Sequence, residues 1–324
     1  MLVPDKERER AILRTVYDET EFSEVSRQEE ERPDFIIRRG QSSTTFGVEI
    51  TELYESPSVA RLKRMPGYVD QLLTKGGVRH KDDADRLRVR HVEIADREGR
   101  HKDFADIIIH ERVPSAEYTK LIAQAIQRKG EKLPTYDPSV SHTNLVVLDT
   151  TGLWHGADEL QVGWHILANE IVAELLVTPY REVFVITDLG VPGWRYIPLK
   201  SRYLVACARF FDASMNAVGR EIRDRSVWLE SFATFLCERG CQVARVRGAL
   251  DEPSVILGNT GVGFDARGFV VFDLAETLLP RAAELVECDA AARTVAVHRK
   301  FDELVISSVF TFGALPHTLR RPPD

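Results

Sequence analysis

Two short apolar runs constrain this chain more than any other feature: NLVVLDTTG at residues 144–152 and REVFVITDL at 181–189. Each is bounded by turn-forming residues and rich in β-branched side chains, so each suits a central strand buried on both faces. Helical patterns separate such runs. In PSAEYTKLIAQAIQRKGEK, Tyr118, Leu121, Ile122, Ala125 and Ile126 recur at the helical period, Pro114 and Ser115 mark the start, and Gly130 marks the end. VGWHILANEIVAELLV is a further helix candidate. Residues 6–18 (KERERAILRTVYD) read as a first helix with Ala11, Ile12, Val16 and Tyr17 inward. Apolar strands separated by helices predict an α/β fold, a mixed central sheet flanked by helices on both faces.

The chain has 324 residues, 44% of them hydrophobic, which is too long for a comfortable single core. We expect one domain over residues 1–212 and a smaller α/β domain over 213–324. In the latter, a helical stretch at about 215–239 precedes the strand candidates CQVARVRG, GFVVFDL, RTVAVHRK and ELVISSVFTF. SVILGNTGVGFDARG lacks the glycine spacing of a nucleotide-binding loop and reads as turns. WRYIPL is another short strand. Between residues 55 and 112 lie helical and loop segments, then a hairpin, RLRVRHVEIADREGRHKDFADIIIHE, that turns at ADREGR.

The formal net charge of −7 argues against a protein that coats nucleic acid through general basicity. It does not exclude a nuclease, whose metal ions offset an acidic pocket locally. Basic clusters at Lys81, Arg86, Arg88, Arg90 and His91, and at Arg100, His101 and Lys102, fall on the hairpin. There they either meet a nucleic-acid backbone or solvate the hairpin face. Cys207, Cys237, Cys241 and Cys288 lack finger-like spacing and fit free thiols. No uninterrupted apolar window is long enough to span a membrane. The charged start MLVPDKERERA lacks the pattern of a secretory leader, so a cytoplasmic location is expected.

The chemistry concentrates in two strand candidates near the N-terminus. DFIIRR begins at Asp34; TTFGVEITEL, after a Gly-Gln-Ser-Ser turn, holds Glu49. Glu49 and Thr51 face away from Val48 and Ile50, because side chains alternate along a strand. Two adjacent strands joined by a tight turn would bring Asp34 and Glu49 to one edge of the sheet. Paired carboxylates raise each other's pKa. Mg²⁺ or Mn²⁺ relieves that repulsion, with the Ile50 carbonyl available as a third oxygen ligand. The same alternation also describes an edge strand whose Glu49 simply faces water.

The stretch E-R-P-D-F, a turn, then G-V-E-I-T resembles the core of the restriction-endonuclease-like superfamily, named for its PD-(D/E)xK motif. Pro33 and Asp34 match the opening pair, Glu49 the second acid and Ile50 the x. The resemblance extends over helix 6–18, the strands near 34 and 49, helix 115–129 and strand 144–149, with an insertion at about 55–112. It implies Mg²⁺ or Mn²⁺ bound by Asp34, Glu49 and the Ile50 carbonyl, in an enzyme that hydrolyses phosphodiester bonds, in DNA by expectation. Thr51 stands where the motif has lysine. In some members that lysine lies on a neighbouring helix, and here Lys129 prolongs the inward side of helix 115–129. Lys132 is the second choice; both also fit as ordinary cations near a helix C-terminus. A carboxylate contributed by the first helix would be Glu9, then Glu7. Gln124 and Tyr136 are further lining candidates. The alternative function is a fold relative that has lost catalysis and serves as a nucleic-acid-binding or structural subunit. A coincidental motif in another kind of α/β protein is a third reading. Cutting both DNA strands would favour a homodimer, and the C-terminal region could join a partner protein.

Overall fold

The computed structural model describes residues 5–25, 33–75 apart from 42, 80–95, 102–110, 115–151 apart from 137, 170–187, 195–246 apart from 220, 221, 223 and 242, 254–273 apart from 266 and 267, 284–285, and 295–312. The first elements are α1 (Asp5–Val16), β1 (Phe22–Glu24), β2 (Phe35–Arg39) and β3 (Thr45–Leu53). An insertion follows, with α2 (Pro57–Arg64), α3 (Tyr68–Lys75) and the ribbon β4 (Leu87–Ala95) and β5 (Lys102–His110). Next come α4 (Ser115–Gly130), β6 (Thr143–Asp149), α5 (Ile171–Val177), β7 (Val183–Thr187) and β8 (Arg195–Pro198). One six-stranded sheet in the order β1-β2-β3-β6-β7-β8 gathers the strands outside the ribbon. Its centre, β3-β6-β7, is parallel, and its outer strands are antiparallel to their neighbours.

The pleat of β3 sorts the two layers. Phe46, Val48 and Ile50 pack on Ile12, Leu13 and Tyr17 of α1. Leu53 faces the opposite layer, where Tyr118, Ile122, Ala125 and Ile126 of α4 cover Leu145 and Val147. This is the expected mixed sheet with a helix on each face. The insertion carries a small core of its own, Tyr68, Leu72 and Leu87. Beneath it the buried carboxylate of Asp83 accepts hydrogen bonds from Ser58 Oγ (2.6 Å) and Arg61 Nε (2.9 Å), which hold its pKa well below the usual carboxylate range.

The C-terminal region comprises α6 (Leu199–Ala217), α7 (Arg225–Glu238), β9 (Ala244–Val246), β10 (Ser254–Leu257), β11 (Thr260–Asp265), β12 (Gly268–Asp273), β13 (Glu284–Leu285) and α8 (Val295–Phe312). Its strands form an antiparallel sheet in the order β12-β11-β10-β9-β13. Residue 212, the expected division, falls inside α6. Leu199 at one end of that helix belongs to the core of the first sheet. Tyr203, Leu204, Cys207 and Phe211 along it pack against Trp228, Phe232, Val262 and Phe301.

Several expectations are corrected here. RTVAVHRK and ELVISSVFTF form not two strands but one helix, α8, because Val297, Phe301 and Val305 recur every fourth residue and enter the core together. SVILGNTGVGFDARG is not a run of turns: it builds the hairpin β10–β11, with Gly258 at φ 65° supplying the tight reversal. The helical stretch expected at 215–239 is two helices. They are separated at Gly219 (φ 70°), and the Asp224 carboxylate caps the second by accepting from the Ser226 and Val227 N–H groups. Of VGWHILANEIVAELLV, only Glu170 and α5 lie among the described residues; Arg100, His101 and Cys288 lie outside them.

A polar knot ties the two sheets together. Glu182, fully buried at the foot of β7, accepts from the N–H groups of Val183 (2.9 Å) and Lys200 (2.8 Å) and from Ser201 Oγ (2.7 Å). The N–H of Asn259, in the β10–β11 turn, reaches it at 3.4 Å. Lys200 Nζ donates to the carbonyls of Thr178 (3.2 Å) and Tyr180 (2.5 Å). Burial pushes the Glu182 carboxyl up and the Lys200 ammonium down to about 8.

Candidate active site

The register of β2 on β3 decides the geometry. Phe35 pairs with Val48, so one step further along the same ladder Asp34 comes opposite Glu49. The N–H of Ile50 donates to Asp34 Oδ2 at 2.7 Å and fixes that carboxylate against the start of the pair. Pro33 is buried, and Gly47 makes room for it. A Cβ on Gly47 would lie 2.5 Å from Pro33 Cγ and 2.8 Å from Thr143 Oγ1.

Glu49 is 5% exposed and points to the α4 layer. There it forms a short ion pair with Lys129 Nζ, which also donates to the Ile50 carbonyl at 3.1 Å. Lys129 reaches this point because it extends the buried stripe of Ile122 and Ile126 by one more turn. Tyr180, fully buried, donates its hydroxyl to the Lys129 carbonyl at 2.9 Å and pins the last turn of α4. On the opposite face of the sheet, Lys6 Nζ of α1 donates to the Asp34 carbonyl at 2.8 Å. It also lies 4.3 Å from the centre of the Phe35 ring and 3.4 Å from Glu9 Oε2.

Burial, first, and the negative charge of Glu49, second, push the Asp34 carboxyl up to about 6; the Ile50 N–H and Lys129 oppose the shift, and Glu9 adds to it. Burial likewise raises the hydroxyls of Tyr136 and Tyr180, so both are neutral at ordinary pH. The Tyr136 hydroxyl is buried and has no hydrogen-bond partner among the described residues.

The structure thus brings Asp34, Glu49, Ile50 and Lys129 together, with Glu9 at the rim and Tyr136 within electrostatic reach of Glu49. Lys132 does not join them. It is exposed beyond the end of α4, with its carbonyl taken by the N–H and Oγ1 of Thr135. Gln124 is exposed too, because it lies between Ala123 and Ala125 on the outer flank of the helix. Glu7 is exposed while Glu9 is half-buried. Lys6 and Tyr180 were not foreseen. Lys6 had one available signal, its place three residues before Glu9 on a helix.

The oxygens available here, two carboxylates and a main-chain carbonyl, are the hard donors that Mg²⁺ and Mn²⁺ take. No group of three or more His, Cys, Asp or Glu side chains able to hold a metal occurs among the described residues. The Lys129 ammonium lies between two of the three oxygens, that of Ile50 and one of Glu49. The fold defines a mixed α/β protein consistent in general architecture with the PD-(D/E)xK class. The chain matches no family model, no curated protein and no solved structure. Among the described residues no helix is long and apolar enough to cross a membrane.

Proposed function

We propose that the chain is a Mg²⁺- or Mn²⁺-dependent nuclease that hydrolyses phosphodiester bonds in DNA. One observation carries this reading: Glu49 and the Ile50 carbonyl meet the Lys129 ammonium beside Asp34, whose carboxylate the Ile50 N–H holds. The cation, when bound, supplies Lewis acidity toward the phosphate and toward water. Asp34 and Glu49 hold it, and Asp34 must be ionised to do so. Its pKa of about 6 therefore predicts activity that falls as pH drops below that value. Lys129 stands in for the cation that Thr51 cannot provide, and meets the negative charge that builds on the phosphate. The ribbon β4–β5 supports DNA as the substrate. Arg86, Arg88 and Arg90 are exposed along it, and a two-stranded ribbon fits the major groove.

A second reading, a non-catalytic relative that binds nucleic acid, draws on the same ion pair, since Lys129 holds two of the oxygens that a cation needs. Cleavage of linear, circular and single-stranded DNA with Mg²⁺ or Mn²⁺, next to metal calorimetry, separates the two. Glu49→Gln keeps the shape and is expected to abolish metal-dependent cleavage. Lys129→Ala is expected to cost on the order of 10²-fold in rate, and Lys132→Ala little. Cleavage that survives Glu49→Gln removes the site assignment. Neither cleavage nor metal binding by the wild type favours the second reading.

A further inference from the structure

A second concavity lies in the C-terminal region, between α6, α7 and the β11–β12 hairpin. Its volume is about 530 Å³, within the range of small-molecule sites. Trp228, Phe264 and Phe269 wall it, with Arg209, Arg225 and Asp212 around them. The three rings meet edge to face, with centres 5.5 to 5.7 Å apart. The Arg225 guanidinium lies 5.7 Å from the centre of the Phe264 ring. Core packing accounts for Trp228, which is 6% exposed, but not for Phe269, which sits on the edge strand β12 and is 41% exposed. Arg209 is exposed and makes no ion pair with the described residues. Asp212 receives Trp228 Nε1 at 3.2 Å and Asn216 Nδ2 at 3.3 Å. A carboxylate has about four acceptor positions, so Asp212 keeps room for another donor.

Aromatic walls suit a planar ring, two guanidiniums suit a phosphate, and a carboxylate with acceptor capacity suits an exocyclic amine. One ligand class carries all three. We propose that this cavity binds a nucleotide with an amino-bearing base, the ring against Phe269 and Trp228, the phosphate at Arg209 and Arg225, and the amine on Asp212. The nucleotide is either free or an unpaired residue of a DNA strand.

The test is fluorescence anisotropy of a labelled oligodeoxycytidine six residues long. It is run in EDTA so that it does not depend on the Asp34–Glu49 site, with dCMP, oligothymidine and a duplex of equal length as competitors. The full chain is compared with Phe269→Ala and Arg209→Ala, both at exposed positions. Each variant is expected to weaken binding roughly tenfold or more, and Arg209→Ala to flatten the salt dependence as well. Displacement by dCMP at similar concentration identifies a free-nucleotide site, and displacement by unlabelled oligodeoxycytidine but not by dCMP a strand-binding site; either supports the proposal. Absence of binding, variants equal to wild type, or a duplex or oligothymidine competing as well as oligodeoxycytidine would overturn it. Cleavage without this binding would sink only this proposal, and binding without cleavage would leave it standing.

Discussion

Asp34→Asn is expected to make the metal-free protein more stable at pH 8 and to leave it unchanged near pH 3. The ordinary carboxyl value is 3.8, and the fold raises that of Asp34 to about 6. Below both values the carboxyl is protonated in the folded and unfolded chains alike and contributes nothing. Between them the folded protein holds a proton that the unfolded chain has released, so stability falls as pH rises. Above about 6 the whole penalty is in place. A rise of that size corresponds to at most ~3 kcal/mol. Asp34 is half-buried rather than enclosed, and water trims the figure to about 1–2 kcal/mol. Asparagine removes the charge and can still accept the Ile50 N–H through its side-chain oxygen. Urea unfolding in EDTA at pH 3 and pH 8 reads the difference directly. Adding Mg²⁺ at ten times its dissociation constant should then stabilise the wild type by about 1.4 kcal/mol, but not the variant. A variant less stable than wild type at pH 8 in EDTA would refute the argument, because it would mean that the ionised Asp34 is favoured by its surroundings.

Two further outcomes concern the C-terminal region. Gly258→Ala is expected to cost about 2–4 kcal/mol in a urea or thermal melt. Its φ is 65°, and the added Cβ would sit 2.4 Å from Glu182 Oε2 and 2.9 Å from Lys200 Cβ; wild-type stability would mean that the knot yields. A chain ending at Phe211 is expected to be insoluble or to lack a cooperative transition, because it bares the buried side chains of Tyr203, Leu204 and Cys207. Soluble, cooperative folding would show that the two sheets stand on separate cores.

What could be read from the sequence followed regularity. The stripe Tyr118, Ile122, Ala125 and Ile126 announces α4 and its buried side, and one more turn along that stripe leads to Lys129. The alternation in TTFGVEITEL fixes which way Glu49 points. Where local preference opposes the fold, the reading fails. The valines of RTVAVHRK favour a strand on their own, but packing of Val297, Phe301 and Val305 against α6 and α7 makes a helix. Gly258 and Gly261 disguise a hairpin as loose turns. Nothing in the chain marks Tyr180 as a neighbour of Lys129, 51 residues away, and the spacing that points Lys6 toward Glu9 does not reveal its contact with Asp34, 28 residues away. Such contacts depend on how whole elements approach one another.

The knot at Glu182 has a consequence for synthesis. A chain leaves the ribosome from its N-terminus, so the strands of the first sheet are complete before the second sheet exists. Lys200 and Ser201, 18 and 19 residues past Glu182, supply most of its hydrogen bonds as soon as α6 begins. Asn259 follows 77 residues after Glu182, which at about 5–20 residues per second is a delay of roughly 4–15 seconds. During that interval the carboxyl is capped from within its own half but still open on the side that the β10–β11 turn will close. The late hairpin then closes a carboxyl already held by Val183, Lys200 and Ser201, while Tyr203, Leu204 and Cys207 of α6 stay bare until the second sheet covers them.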